Sequence, residues 1–412
     1  MSNRASSWQP GLEELRSIHA AAAETVKQTP VFSLGELSRR CGGTVVVKAE
    51  NMQRTGSFKL RGSLAKLAGR DPGNCPGVVA GSAGNHGQAL AYAARARDIP
   101  CTVFMPEDAA ISKVDAVTAF GAEVVLEGSA IDECLRAARR LADEEGLLFV
   151  HPFDDLDVIR GQAGVGLELR EQVPDLTKVI VPVGGGGLVS GIAAALNAGG
   201  GGVEIAGVQA AGCSAFPASI ESGEPETVAQ PSTIADGIAV KRPGELTLEL
   251  VRRWVEEVVT VDDDAIAEAM VFLVEYGKLV TEGAGAVGVA ALLTGALRPA
   301  ESGTTAVVLS GGNVDAHVLA EVINRHQTGI GRRARLFSKI SDRPGGLVDF
   351  LQIIARAGGN VLDVTHVRDG VALHVRETGV EVLVESRSER HGDELLRRLA
   401  DAGYEVEEIG PH

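Results

Sequence analysis

From about Thr44 to His326 the chain alternates short β-branched runs with longer amphipathic stretches. The apolar runs Val45–Val47, Val78–Ala80, Thr102–Met105, Val124–Leu126, Leu147–Val150, Lys178–Val183, Val203–Val208 and Thr305–Leu309 are separated by helical stretches such as Asn85–Arg97, Ile131–Glu145 and Asp157–Val173. A strand that is apolar on both faces must be covered on both, so the alternation calls for βαβ units and sheets layered with helices. In open α/β sheets ligands bind outside the carboxyl ends of the strands. The residues to read for chemistry are therefore those that follow the apolar runs.

The pattern changes after Arg325. Gln327-Thr-Gly-Ile-Gly-Arg-Arg333 is a polar, glycine-bearing linker between a unit spanning residues 1–326 and a smaller one spanning 334–412. The second unit reads as a strand (Ala334–Ile340), a helix (Leu347–Ala357), two strands (Asn360–Arg368 and Val371–Val384), a helix (Asp393–Ala402) and a strand (Tyr404–Ile409). That order, βαββαβ, is the ferredoxin-like split-βαβ pattern.

Composition narrows the partners. The formal net charge is −16, which disfavours a polyanion-binding surface and excludes nucleic acid as a main partner. Five scattered cysteines (Cys41, Cys75, Cys101, Cys134, Cys213) form no C-x-x-C pair, so neither a zinc site nor a disulfide framework is indicated and a reducing, cytoplasmic setting is expected. The longest uncharged apolar stretch, near Ala284–Leu297, is shorter than the ~20 residues a bilayer span needs. Neither a signal-peptide core nor a membrane partner is expected. Glycine supplies 51 of 412 residues, about 12% against roughly 7% on average. The glycines cluster, as they do where backbone must approach a ligand.

Four segments at strand ends carry candidate chemistry. In Thr55-Gly-Ser-Phe-Lys59-Leu-Arg-Gly, Ser57 is placed to cap a helix with Lys59 in its first turn. A helix N-terminus disfavours the ammonium, and a neutral lysine is what a Schiff base with a carbonyl cofactor requires. Alone, the segment reads more readily as a solvated surface lysine. In Gly81-Ser-Ala-Gly-Asn85-His-Gly-Gln88 small residues let backbone amides face an anion at a helix start, or else form a simple capped turn. His86 reads as a local hydrogen-bonding group rather than a base. Val181-Pro-Val-Gly184-Gly-Gly-Gly187-Leu-Val-Ser-Gly191 places four glycines between a strand and a helix, a phosphate cradle or a flexible turn. No lysine follows, so it is not a P-loop, and Glu204 stands at the start of the next strand rather than its end, which argues against a dinucleotide. In Leu309-Ser310-Gly-Gly-Asn313 the hydroxyl can meet a ring nitrogen or cap a helix near Asp315.

Taken together these segments would make a complete pyridoxal-phosphate site, and residues from about 10 to 325 resemble the threonine dehydratase and serine racemase branch of the fold-type II pyridoxal-phosphate enzymes. The resemblance rests on Gly56-Ser-Phe-Lys-Leu-Arg-Gly, Ser82-Ala-Gly-Asn-His-Gly-Gln, Val183-Gly-Gly-Gly-Gly-Leu, Ile234-Ala-Asp-Gly-Ile-Ala-Val-Lys-Arg-Pro-Gly, Glu282-Gly-Ala-Gly-Ala and Ser310-Gly-Gly-Asn-Val-Asp, in the family's order. It implies an α/β, tryptophan synthase β-like catalytic unit of two lobes, the smaller one spanning roughly residues 55–154. Lys59 would hold the cofactor covalently and move the Cα proton, with Phe58 packed beside the ring. Asn85 would bond the ring's 3′ oxygen, Gly184, Gly185, Gly186, Gly187 and Leu188 would bind the phosphate, and Ser310 would meet the pyridine nitrogen. The Ser82–His86 turn, with Ala83 and Gly84, would receive the substrate carboxylate, and Glu282 would lie near the substrate's reacting side.

The second unit is similar to an ACT domain. Its Asp342-Arg-Pro344-Gly345-Gly346-Leu347 loop matches that family's effector loop, whose backbone amides can hold an amino acid's carboxylate. The whole resembles a threonine ammonia-lyase with one regulatory domain. That implies β-elimination of threonine to 2-oxobutanoate and of serine to pyruvate, an amino-acid effector, and a homodimer or homotetramer. A hydroxyl at the pyridine nitrogen, in place of a carboxylate, favours loss of a β-leaving group over transamination. A serine racemase is the alternative within the family. There the residue before Gly-Asn-His is a serine that serves as the second base; here it is Ala83. A non-catalytic amino-acid or nucleotide sensor is the alternative outside it, and the intact Lys59 argues against that. Serine racemase also binds a divalent ion through carboxylates after the strand matching Ile205–Gln209, whereas Gln209-Ala-Ala-Gly-Cys-Ser-Ala215 has none, so no divalent metal is expected, a monovalent ion on backbone carbonyls being left open.

Overall fold

The computed structural model describes residues 8–368 and 373–409. The chain divides into two compact units, Met1–Asp315 and Ala316–His412.

The apolar runs of the first unit form two sheets. The larger has strand order β1-β2-β10-β7-β8-β9, from β1 (Val31–Ser33), β2 (Thr44–Ala49), β7 (Leu176–Pro182), β8 (Glu204–Ala210), β9 (Glu257–Val261) and β10 (Thr304–Leu309). All its pairings are parallel except that of β1 with β2. The smaller sheet has order β5-β4-β3-β6 and is wholly parallel, from β3 (Val78–Gly81), β4 (Cys101–Met105), β5 (Glu123–Leu126) and β6 (Leu148–Phe149). The central strands β7 and β10 are buried along nearly their whole length, as continuous apolar runs require.

The apolar segment near Ala284–Leu297 becomes helix Gly283–Leu293, buried on every side from Gly283 to Leu292. Among the described residues no helix is long and apolar enough to cross a membrane. The helix expected over Ile131–Glu145 has those bounds, and the one expected over Asp157–Val173 runs Leu156–Gln172. Strands β1 and β9 correspond to none of the apolar runs. One is three residues long, and the other carries an interrupted, half-exposed pattern.

The second unit opens with helix Ala316–Gly329, which occupies residues 327–329 of the expected linker. There follow β11 (Arg333–Ser341), helix Gly346–Ala357, β12 (Asn360–Val367), β13 (Glu377–Glu385), helix Glu389–Asp401 and β14 (Val406–Glu408). The order is βαββαβ, and the sheet is antiparallel with strand order β12-β13-β11-β14. The strand expected from Val371 begins at Glu377, and residues 369–372 lie outside the described residues. The alternating face of β11 and β13 (Leu336, Ile340, Val380, Val382, Val384) packs on Phe350, Ile354, Leu395 and Leu399 of the two helices.

Candidate active site

Three neighbouring strands of the large sheet set out the site. β2, β10 and β7 lie side by side, and the segments after their carboxyl ends carry Lys59, Ser310 and Gly184–Gly187 respectively. The turn after β3 of the small sheet brings Ser82–His86 to the opposite wall. The cleft between them measures about 870 Å³. Phe58, Lys59, Ser82, Ala83, Gly84, Asn85, His86, Gly184, Gly185, Gly186, Gly187, Leu188, Glu282 and Ser310 all line it.

Lys59 is the first residue of helix Lys59–Lys66. The expected Ser57 cap is not formed. Phe58 takes the cap position without a side-chain bond, while Ser57 pairs through its backbone with Gly311 and buries its hydroxyl with no partner among the described residues. The helix is anchored instead by the Phe58 amide, which donates to Ser310 O at 3.1 Å. Lys59 Nζ donates to Pro152 O at 2.9 Å and sits 5.1 Å from the Phe58 ring centre. Burial pushes its ammonium down to about 8, against the opposing charge of Glu282. At pH 7 about a tenth of such a lysine is neutral, roughly 300-fold more than for a free one.

Two of the four glycines are required by what packs on them. A Cβ on Gly185 would lie 2.3 Å from Phe153 Cγ, and one on Gly186 would lie 2.7 Å from Phe216 Cζ. Gly186 also takes a left-handed φ of +90°. The helix that follows starts at Gly187, so its first amides lack intrahelical acceptors and are free for an anion.

Asn85 is committed at both ends of its amide. Its Nδ2 donates to Glu282 Oε1 at 2.7 Å, and its Oδ1 accepts from Asn313 Nδ2 at 2.7 Å, which leaves one N–H for a ligand. Glu282 is buried. That burial, followed by the charge of Asp236, pushes its carboxyl up to about 7, while Asn85, Lys113 and Lys59 oppose the rise. His86 Nε2 donates to Val150 O at 2.9 Å, and burial, then Lys59, hold the ring down to about 3. It is a neutral donor to the backbone here. Ser82 Oγ accepts the amides of Gly84 and Gly87 at 3.3 and 3.0 Å, which shapes the turn and leaves the start of helix Asn85–Arg95 open to the cavity. The Ser310 hydroxyl donates to Ala284 O over a long 3.3 Å.

The segment His151–Asp154 was not singled out from sequence, yet it ties the parts together. Pro152 O holds Lys59, Phe153 lies on the glycine loop, and Asp154 Oδ1 accepts the Thr247 amide at 3.1 Å. His151 Nδ1 accepts the Asp154 amide at 2.7 Å. Its only sequence signal is its place directly after a strand, β6. Gln209, at the position where a metal ligand was considered, accepts the Phe216 amide at 2.9 Å.

A family model described as pyridoxal-phosphate dependent enzyme matches residues 22–311. The chain belongs to this family. The L-threonine ammonia-lyase of Thermotoga maritima is 42% identical over 400 residues, 97% of this chain and 99% of the relative. Among solved structures, the T.th. threonine deaminase superposes with a TM-score of 0.70 at 38% identity, covering 74% of this chain and 99% of that one. Maize serine racemase superposes with a TM-score of 0.73 at 34% identity, covering 78% and 99%. The first unit thus has the α/β fold of these pyridoxal-phosphate enzymes.

The residues present fit the cofactor. The glycine turn admits no side chain at Gly185 or Gly186, the first amides of the following helix are free, and one buried lysine of lowered pKa faces the same cavity. When bound, the cofactor supplies a conjugated ring that accepts the electron pair left at Cα.

In the second unit Gly345 takes φ +92° and opens helix Gly346–Ala357, with Pro344 and Asp342 exposed and Leu347 half-buried. Asp342 pairs with Arg368 at 3.2 Å, and Arg343 with Asp349 at 3.1 Å.

Proposed function

We propose that the protein is an L-threonine ammonia-lyase, forming 2-oxobutanoate and ammonia from threonine and pyruvate from serine. The observation that carries the reading is Lys59. Its Nζ is held by Pro152 O and pushed down to about 8, in the same cavity as a four-glycine turn. Lys59 anchors the cofactor and takes the Cα proton. The free amides at the start of helix Asn85–Arg95 receive the substrate carboxylate, with Ala83 and Gly84 allowing close approach. With the cofactor bound, Asn85 would give its remaining N–H to the ring oxygen and Ser310 would offer the ring nitrogen a neutral partner, which would favour β-elimination.

Serine racemase is the second reading, supported by the likeness to the maize enzyme. Ala83 in the cavity wall has no hydroxyl to act as a second base, so D-serine should form far more slowly than pyruvate. Comparable rates would reverse that conclusion.

The second unit is read as an ACT domain whose Asp342–Leu347 loop binds an amino-acid effector. Its presence in a chain that aligns end to end with a threonine ammonia-lyase supports a regulatory role. The enzyme is further proposed to be a cytoplasmic homodimer or homotetramer that needs no divalent metal. Loss of activity on chelation, restored by magnesium or calcium, would contradict the last point.

The deciding experiment is borohydride reduction of the purified, pyridoxal-phosphate-loaded protein, followed by peptide mapping and a 2-oxobutanoate assay with L-threonine. Reduction should bleach the yellow colour and fix the cofactor on Lys59. A protein that takes up no cofactor, or fixes it on another lysine, would overturn the assignment.

A further inference from the structure

Directly behind Lys59 lies a fully buried ionic cluster. Arg61 Nε and Nη2 donate to the two oxygens of Glu50 at 2.8 Å each, and Nη1 and Nη2 donate to the two oxygens of Glu168 at 2.6 and 2.9 Å. Lys48 Nζ bonds Glu168 at 2.5 Å and Thr29 O at 2.7 Å, so two cations face two carboxylates. Arg61, Glu50, Glu168 and Lys48 are all 2% exposed or less. Such a cluster does little for stability compared with apolar packing of the same volume, so its use is better sought in geometry.

The geometry bears on Lys59. The two residues share one eight-residue helix, too short to hold its shape alone and lacking a side-chain cap. Two positions along a helix are about 200° apart, so Lys59 faces the cavity while Arg61 faces the cluster. A planar guanidinium held by two carboxylates, each two-pronged, fixes rotation about the helix axis, which a point charge cannot do. The helix also has no room to slide, since a Cβ on Gly161 of the neighbouring helix would lie 2.4 Å from Arg61 O.

We infer that Arg61, clamped between Glu50 and Glu168, is a positioning residue that sets the aim and burial of Lys59 Nζ. The inference rests on Lys59 being the cofactor lysine. Released from the clamp, the first turn rotates and Nζ gains solvent, so its lowered pKa moves back toward that of free lysine.

The test is pulse acetylation of the cofactor-free, full-length protein with acetic anhydride across a pH series, read at Lys59 by mass spectrometry. Arg61→Lys keeps the charge and loses the fork, and should raise the labelling midpoint by about 1 pH unit or more. Glu50→Gln, which removes one prong's charge without emptying the site, should shift it the same way by less. Leu67→Ala serves as the control, because Leu67 is buried at the end of the same helix away from the clamp. It should lower the urea midpoint and leave the Lys59 profile in place. If both clamp variants fold and show the wild-type midpoint, or if Leu67→Ala shifts it equally, Arg61 is only structural and the inference fails. Borohydride mapping separates the two questions. Cofactor fixed on another lysine overturns the function, whereas cofactor on Lys59 with an unmoved profile overturns only the role of Arg61.

Discussion

Replacing Glu282 by glutamine should stabilise the first unit at alkaline pH and change it little at acid pH. Glu282 is 6% exposed, and its carboxyl is pushed up from 4.5 to about 7 by burial and then by Asp236. The folded value lies above the unfolded one, so the native state holds an extra proton between about pH 4.5 and 7, and stability falls as pH rises through that window. At 1.36 kcal/mol for each pH unit the loss is about 3 kcal/mol once the pH is well above 7. Glutamine has the shape of the protonated acid, keeps an oxygen for the Asn85 amide and carries no charge to bury. The variant should therefore exceed wild type by about 3 kcal/mol near pH 8.5 and by less than about 0.5 kcal/mol near pH 4.5. Urea unfolding of the cofactor-free protein, followed by tryptophan fluorescence, measures this directly. The chain's two tryptophans, Trp8 and Trp254, pack edge to face at 5.9 Å inside the first unit, so the signal reports that unit separately from the second. A stability difference that does not change with pH, or that grows toward acid, would refute the buried-carboxylate reasoning.

Lys59 has the opposite sign. Its folded value of about 8 lies below that of free lysine, so charging it costs stability below pH 8, and the cost is relieved as pH rises above that value. Lys59→Met should abolish ammonia release while raising the stability of the cofactor-free protein at pH 7 by about 1–3 kcal/mol, checked by the same urea curves. Gly186→Ala combines a left-handed φ of +90° with a methyl 2.7 Å from the buried Phe216 ring. It should cost about 2–5 kcal/mol, seen as a lower urea midpoint together with a cofactor affinity at least about tenfold weaker in a fluorescence titration. If Ser310 meets the ring nitrogen as proposed, Ser310→Ala removes one neutral hydrogen bond, and cofactor affinity should fall about 2- to 12-fold with folding intact; unchanged affinity and rate would take Ser310 out of the site. Ending the chain after Asp315, at the boundary of the two compact units, should keep turnover and abolish any response to isoleucine, valine, serine or threonine. An identical response in both forms would reduce the second unit to a structural role.

The sequence was most legible where one signal sufficed. Uninterrupted apolar runs located β2, β7, β8 and β10, and the strand-end rule of α/β sheets then pointed to Lys59, Asn85, the glycine turn and Ser310, which all line one cavity. Local chemistry misled at Ser57, a good cap by residue type. The backbone bridge from Ser57 to Gly311 and the bond from Phe58 to Ser310 O hold that turn instead, so a tertiary contact displaced the local one. Helix Ala316–Gly329 was split by an expected linker because Gly329 and Gly331 read as breakers, although only the last turn meets them.

What sequence could not show was pairing across distance. Asn85 and Glu282 meet at 2.7 Å although 197 positions separate them, and Asn313 closes the chain from 228 positions away. Neither contact has a periodicity or spacing to betray it. Asn313 follows β10 of the large sheet, Glu282 is tied to the same strand end by its amide, which donates to Gly311 O at 3.2 Å, and Asn85 is delivered from the small sheet. The consequence is chemical as well as geometric. With Oδ1 occupied by a donor and one N–H by a carboxylate, the Asn85 amide is held in a single orientation that presents a donor to the cavity. An asparagine read from the motif alone could offer either a donor or an acceptor, and its two distant neighbours decide which.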